Sequence, residues 1–92
     1  MVENGTEQME QSWERLRSVK NSYEADLMSK ANVVGVGIGL RQRAGQSTGE
    51  PAIVVSVTHK VPPSLVHPDD VIPSELDGVP VDVQEIGKLR AL

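Results

Sequence analysis

A chain of 92 residues with a formal net charge of −4 has room for one domain and one thin core, because at this size only about 60–65% of the surface exposed by the unfolded chain is buried. With no Cys, no Phe, one Trp and one Tyr, disulfides, thiolate nucleophiles and cysteine-type zinc sites are excluded, and the interior must be filled mainly by Val, Ile and Leu. The nine Lys and Arg residues are scattered rather than gathered with aromatics into a phosphate-neutralising stripe, which argues against nucleic acid as a partner.

Met1 to Gly5 is polar and acidic, and no apolar stretch of the sequence approaches bilayer length, so neither a secretory leader nor a membrane partner is expected. Together with the missing cysteines this points to the cytoplasm. Residues 1–6 are expected to be disordered and residues 7–30 to form a helix, since no Pro or Gly interrupts Glu7 to Lys30. Met9, Trp13, Leu16, Tyr23 and Leu27 recur at spacings of three, four and seven and share one face. Val19 flanks that stripe, and Lys20 falls inside it, where a long stem can lie on apolar surface. A helix of about 24 residues spans about 36 Å and a strand of eight about 27 Å, so the first turns, with Met9 and Trp13, are expected to overhang the sheet.

At Asn32 the period changes to two. Residues 32–40 are predicted as a strand with Val34, Val36, Ile38 and Leu40 on one face and Gly35, Gly37 and Gly39 on the other, where another backbone could approach closely. Arg41 to Glu50 reads as a mobile hairpin loop. Residues 52–59, β-branched almost throughout from Ile53 to Thr58, are predicted as a central strand. Prolines 62, 63, 68 and 73 then forbid a long helix, leaving an irregular crossover with at most one helical turn after Ser64 or Pro68. Asp77-Gly78 signals a turn before a last strand, residues 79–86, which Pro80 assigns to an edge. The fold class is α+β: a long amphipathic N-terminal helix on a small three-stranded sheet, in one domain over residues 1–92, with strand order left open.

The candidate sites are weighed against their plainer readings. Gly35, Gly37 and Gly39 alternate inside a strand, whereas dinucleotide-binding glycines form a turn that opens a helix, so they read as structural. His59 and His67, with Asp69, Asp70 and Asp77, match no ligand spacing, so no metal and no cofactor is expected. Two histidines and several serines nominally supply a Ser-His-Asp set, yet nothing resembles a nucleophile elbow. The carboxylate pairs Asp69-Asp70 and Asp82 with Glu85 would need a desolvated cleft to serve as acid and base. No catalytic residue is assigned, and the chain is read as no enzyme by itself. Met9 and Trp13 remain as weak candidates for a binding surface, with core packing the commoner use of such a Trp.

The blocks Asn32 to Gly39, Thr48 to Val55, and Ile72-Pro73 through Asp77 to Val83 together resemble an N-terminal accessory segment found upstream of trypsin-like serine protease domains in poorly characterised bacterial proteins. The similarity covers about residues 27 to 90. It implies a non-catalytic, propeptide-like protein-interaction module with a trypsin-like protease domain as partner, in cis or in trans. The alternatives are a small ligand-binding module that uses the bare glycine face and a free-standing structural domain. The oligomeric state is left open.

Overall fold

The computed structural model describes residues 4–87, with side chains described from Trp13 onward except that of Pro63. One α-helix, α1 (Asn4–Met28), is followed by β1 (Val33–Arg43), β2 (Gln46–Val57), two 3₁₀ turns at Pro63–Leu65 and Pro68–Asp70, β3 (Glu75–Leu76) and β4 (Val79–Glu85). The fold is α+β, with a four-stranded mixed sheet in the order β1-β2-β4-β3. β1 and β2 are antiparallel, β2 and β4 parallel, and β3 and β4 antiparallel.

The helical stripe packs where its spacing placed it. Leu16, Val19 and Leu27 are buried in the core, and Trp13 and Tyr23 pack partly buried against it. Val19 is therefore a core residue and not a flank. Lys20 lies at the border, where it pairs with Glu24 one turn on at 2.9 Å, an i,i+4 pair in the weaker Lys-before-Glu order. The helix begins at Asn4, so residues 4–6 are helical where disorder was expected, and residues 1–3 lie outside the described chain. It ends two residues before Lys30. Asn32 adopts a left-handed backbone with φ 69°, a conformation Asn tolerates better than most residues, and its carbonyl accepts from the Thr58 amide at 2.9 Å.

β2 is the axis of the sheet. Ile53, Val55 and Val57 face the helix and are almost wholly buried, and on β4 Val79 and Val81 join them. β1 contributes Val36 and Ile38, which lie opposite Val55 and Ile53. Val33, not Val34, is the buried residue at its start. The cause is a bulge: Val33 pairs with Val57 but Gly35 pairs with Ser56, so β1 spends one extra residue there and the alternation shifts.

The predicted loop over 41–50 is largely strand. Ala44 and Gly45 have φ 53° and 80°, the two positive values of a two-residue hairpin turn of the primed type, and the strands run up to it on either side. The polar composition reflects the exposure of this ribbon, whose residues 42–50 are all exposed. It carries its own irregularity, because Leu40 pairs with Pro51 while Gln42 pairs with Ser47. Three residues, Thr48, Gly49 and Glu50, thus oppose Arg41. Gly49 takes φ 80°, Thr48 Oγ1 donates to the Arg41 carbonyl at 3.1 Å, and Arg41 pairs with Glu50 at 3.1 Å.

Two further expectations are corrected. The crossover holds two 3₁₀ turns, each with a proline at its start, where at most one turn was expected. β4 is not a plain edge strand, because the short β3 pairs with its residues 79 and 80 and β2 with residues 81–85. Pro80 is accommodated because it precedes the β2 ladder and faces a strand of only two residues. Asp77 and Gly78, at φ 50° and 83°, make the β3–β4 connection a second two-residue primed turn.

The glycine face is open rather than closely packed by another element. A Cβ added at Gly37 would meet nothing within 4 Å, whereas at Gly39 it would stand 3.3 Å from Val54 Cγ2. Gly37→Val is therefore expected to keep the fold and to leave the melting temperature unchanged or raised, since glycine inside a strand costs roughly 0.5–1 kcal/mol. Gly39→Ala is expected to be the more damaging of the two. Leu27→Ala should destabilise by about 2–5 kcal/mol. Chemical denaturation followed by the fluorescence of Trp13, the only tryptophan, checks all three.

Candidate functional site

Three places bring chemistry-bearing residues together. The first is the sheet face turned away from α1. Register sets Gly35 opposite Ser56, Gly37 opposite Val54 and Gly39 opposite Ala52, and residues directly opposite in antiparallel strands share a face. β4 adds Asp82 and Gln84 through the parallel pairs Val54–Asp82 and Ser56–Gln84. Asp82 Oδ2 accepts from the Gln42 amide at 3.0 Å and from Gln84 Nε2 at 2.9 Å. Gln42 belongs to β1 and β2 lies between, so the bulge at Thr48 to Glu50 brings the ribbon within reach of β4. The face becomes a shallow trough of about 480 Å³ paved by the three glycines, with Gln42 and Gln84 along it.

The second place is a groove of about 400 Å³ between the end of the sheet and the crossover, where His59, His67 and Asp70 meet. His67 and Asp70 already have occupations. His67 Nδ1 accepts from the Asp69 amide at 3.1 Å and so caps the second 3₁₀ turn. Asp70 Oδ1 accepts from the Ala31 amide at 3.0 Å, and Lys30 Nζ donates to the Asp69 carbonyl at 2.8 Å. These bonds fasten the crossover to the end of α1. His59 Nδ1 stands 3.2 Å from Thr58 Oγ1. Among the described residues no group of three or more His, Asp or Glu side chains has the arrangement of a metal site.

The third is the β3–β4 turn. Arg15 Nη2 donates to the Asp77 carbonyl, and the Tyr23 hydroxyl donates to Asp77 Oδ1 at 3.0 Å. Asp77 is thus an anchor between helix and hairpin and does not line the histidine groove.

The other sequence candidates separate. Glu85 Oε1 accepts from the Lys60 amide at 3.1 Å while Asp82 faces the trough, so these carboxylates are not a pair acting on one substrate. Trp13 is partly buried against the core, the use that its spacing with Leu16 suggested, and the side chain of Met9 lies outside the described residues. The sequence reading missed both the groove and the reach of Asp82. Nothing in a period-two strand announces a contact across an intervening strand, and the crossover carries no periodicity at all.

Tyr23 offers a measurable consequence. Its pKa is raised above the ordinary 10.0, first by the hydrogen bond it donates to Asp77 and then by the charge of that carboxylate, with a smaller contribution from desolvation. The bond exists only while the phenol keeps its proton. Its contribution to stability is therefore complete below the unfolded value of about 10 and lost as pH rises through the higher folded value. Because this is the only tyrosine, a titration by ultraviolet absorbance is expected to show one transition above 10.0, moving down in Asp77→Asn.

Among the described residues no helix is long and apolar enough to cross a membrane. No curated protein matches the chain. A family model, the NARROW LEAF 1 N-terminal domain, matches residues 16–85, and this corrects the resemblance to a segment upstream of bacterial trypsin-like proteases. The blocks that carried that resemblance are β1, the bulged start of β2 and the Asp-Gly hairpin, whose alternation and turn residues follow from strand and turn geometry and do not separate one family from another. Since the matched span runs from the buried Leu16 through all four strands, the chain belongs to the NARROW LEAF 1 N-terminal domain family.

Proposed function

We propose that this chain is a non-catalytic accessory domain that works by protein contact beside a larger domain. One observation carries the reading: α1 covers one face of the sheet, while the other, paved by Gly35, Gly37 and Gly39, is open at Gly37, where an added Cβ would meet nothing within 4 Å. A smooth face of small residues lets a partner's backbone come close. The long edge of β1 beside it offers main-chain groups to an added strand. The family description speaks of an N-terminal domain, a unit that works attached to more chain, and tethering relaxes the need for intrinsic affinity. The cysteine-free composition suits a cytoplasmic setting. A trypsin-like protease domain was implied only by the resemblance that the family match corrects, and it is kept here as one partner to test. The small-ligand alternative finds less support on the glycine face, because the trough is shallow and does not enclose a molecule as ligand pockets do.

The test is a titration of the isotope-labelled domain with a trypsin-like protease domain, and separately with the region that follows the N-terminal domain in a protein of this family, up to about millimolar concentrations. Amide shifts are expected at Gly35, Gly37, Gly39, Val54 and Ser56, and no hydrolysis of peptide or ester substrates by the domain alone. Binding only to the second partner would remove the protease and keep the accessory role. Absence of shifts with both would overturn it.

A further inference from the structure

The crossover from β2 to β4 does not lie flat on the sheet. Its two 3₁₀ turns arch past the strand ends and, with Ala31 and Asn32 after α1, enclose the groove of about 400 Å³. Val57, Val61, Val66, Ile72 and Val83 line it, and Leu65 and Val71 stand on its lip 74% and 46% exposed. Exposed aliphatic side chains around an apolar hollow are costly to leave in water. The volume lies in the lower part of the range of small-molecule sites, about 300–1,000 Å³, which are likewise apolar with a few polar groups at fixed points.

The charged groups decide what could enter. Asp70 is engaged by the Ala31 amide and His67 by the Asp69 amide. Lys60 is different: its backbone amide is held by Glu85, which fixes where the side chain starts, but its ammonium makes no ion pair among the described residues. Lys60 is therefore the cation at the groove without an ion-pair partner among the described residues, with the imidazole of His59 beside it in the sequence and also lining the groove, while Asp70 keeps its negative charge on the crossover side.

We propose that this groove binds a small amphipathic acid, a compact apolar chain or ring carrying one carboxylate. The apolar part packs between Val57, Val66 and Val83, and the carboxylate is met by the Lys60 ammonium. An aliphatic stem with a terminal charge suits such a rim, since the stem can follow the apolar wall while the charge stays near water. The inference is independent of protein contact on the glycine face, which lies on the other side of the sheet.

Octanoate and octanol, both below their aggregation concentrations, are the probes, read by amide shifts of the labelled domain. Octanoate is expected to shift residues 57–72 and Val83 and to leave Gly35, Gly37 and Gly39 unmoved. It should bind up to about fivefold more tightly than octanol, the preference that one partly exposed ion pair of about 1 kcal/mol supplies. In Lys60→Gln, a change at an exposed side chain, the two probes should bind alike while octanol binding persists. Absence of shifts at the groove, shifts centred on the glycine trough, equal binding of both probes by the parent, or an unchanged preference in Lys60→Gln would each overturn the proposal.

Discussion

The domain depends on β2 being buried from three directions at once. Helix α1 covers Ile53, Val55 and Val57 from one face, β1 pairs with one edge and β4 with the other. Without phenylalanine to fill space, the interior relies on β-branched side chains whose few rotamers and flat contact surfaces pack well on a pleated sheet. Leu16, Val19 and Leu27 close the same cluster from the helix, so the helical stripe, the hairpin and the last strand share one small reserve of buried apolar surface.

That arrangement explains the irregular features. A parallel pair cannot be joined by a tight turn, so β2 and β4 need a long connection, and the prolines let it run as bends and 3₁₀ turns. The crossover must then be fastened from outside. Lys30, Ala31, Asp69 and Asp70 do this at the end of α1, while Arg15, Tyr23 and Asp77 fasten the hairpin that follows. The groove and the anchored turn are thus both by-products of returning the chain parallel to β2.

Much of the fold was legible because it is periodic. The helical stripe from Trp13 to Leu27, the period-two run from Val33 and the β-branched block after Ala52 each announce an element and the face it buries. The bulges were not legible: a step of one residue at Val34 and the three-residue arc from Thr48 to Glu50 alter register without altering composition. The ribbon beyond Leu40 was misread because its strands are polar, and polarity there reports exposure and not irregularity. Strand order, the contact of Asp82 with Gln42 and the groove around His59 and His67 depend on where the crossover goes, which side-chain patterns along a single chain do not encode. The three glycines were read as a bare face, but the sequence could not say that among the described residues no other element packs closely on Gly37.

The free edge of β1 gives those glycines a second significance. An edge strand of 11 residues, with Val and Ile in its first half and its outer side unpaired among the described residues, is the kind of template along which identical chains stack into cross-β ribbons. With glycine at 35, 37 and 39, one side of that stretch offers no side chains to interdigitate with a neighbouring sheet, and the backbone keeps more freedom to lose on stacking. Resistance to stacking and the open stretch of the face here draw on the same three residues. A larger side chain that the native fold accommodates without difficulty would still make the unfolded or partly opened chain more prone to assemble with itself.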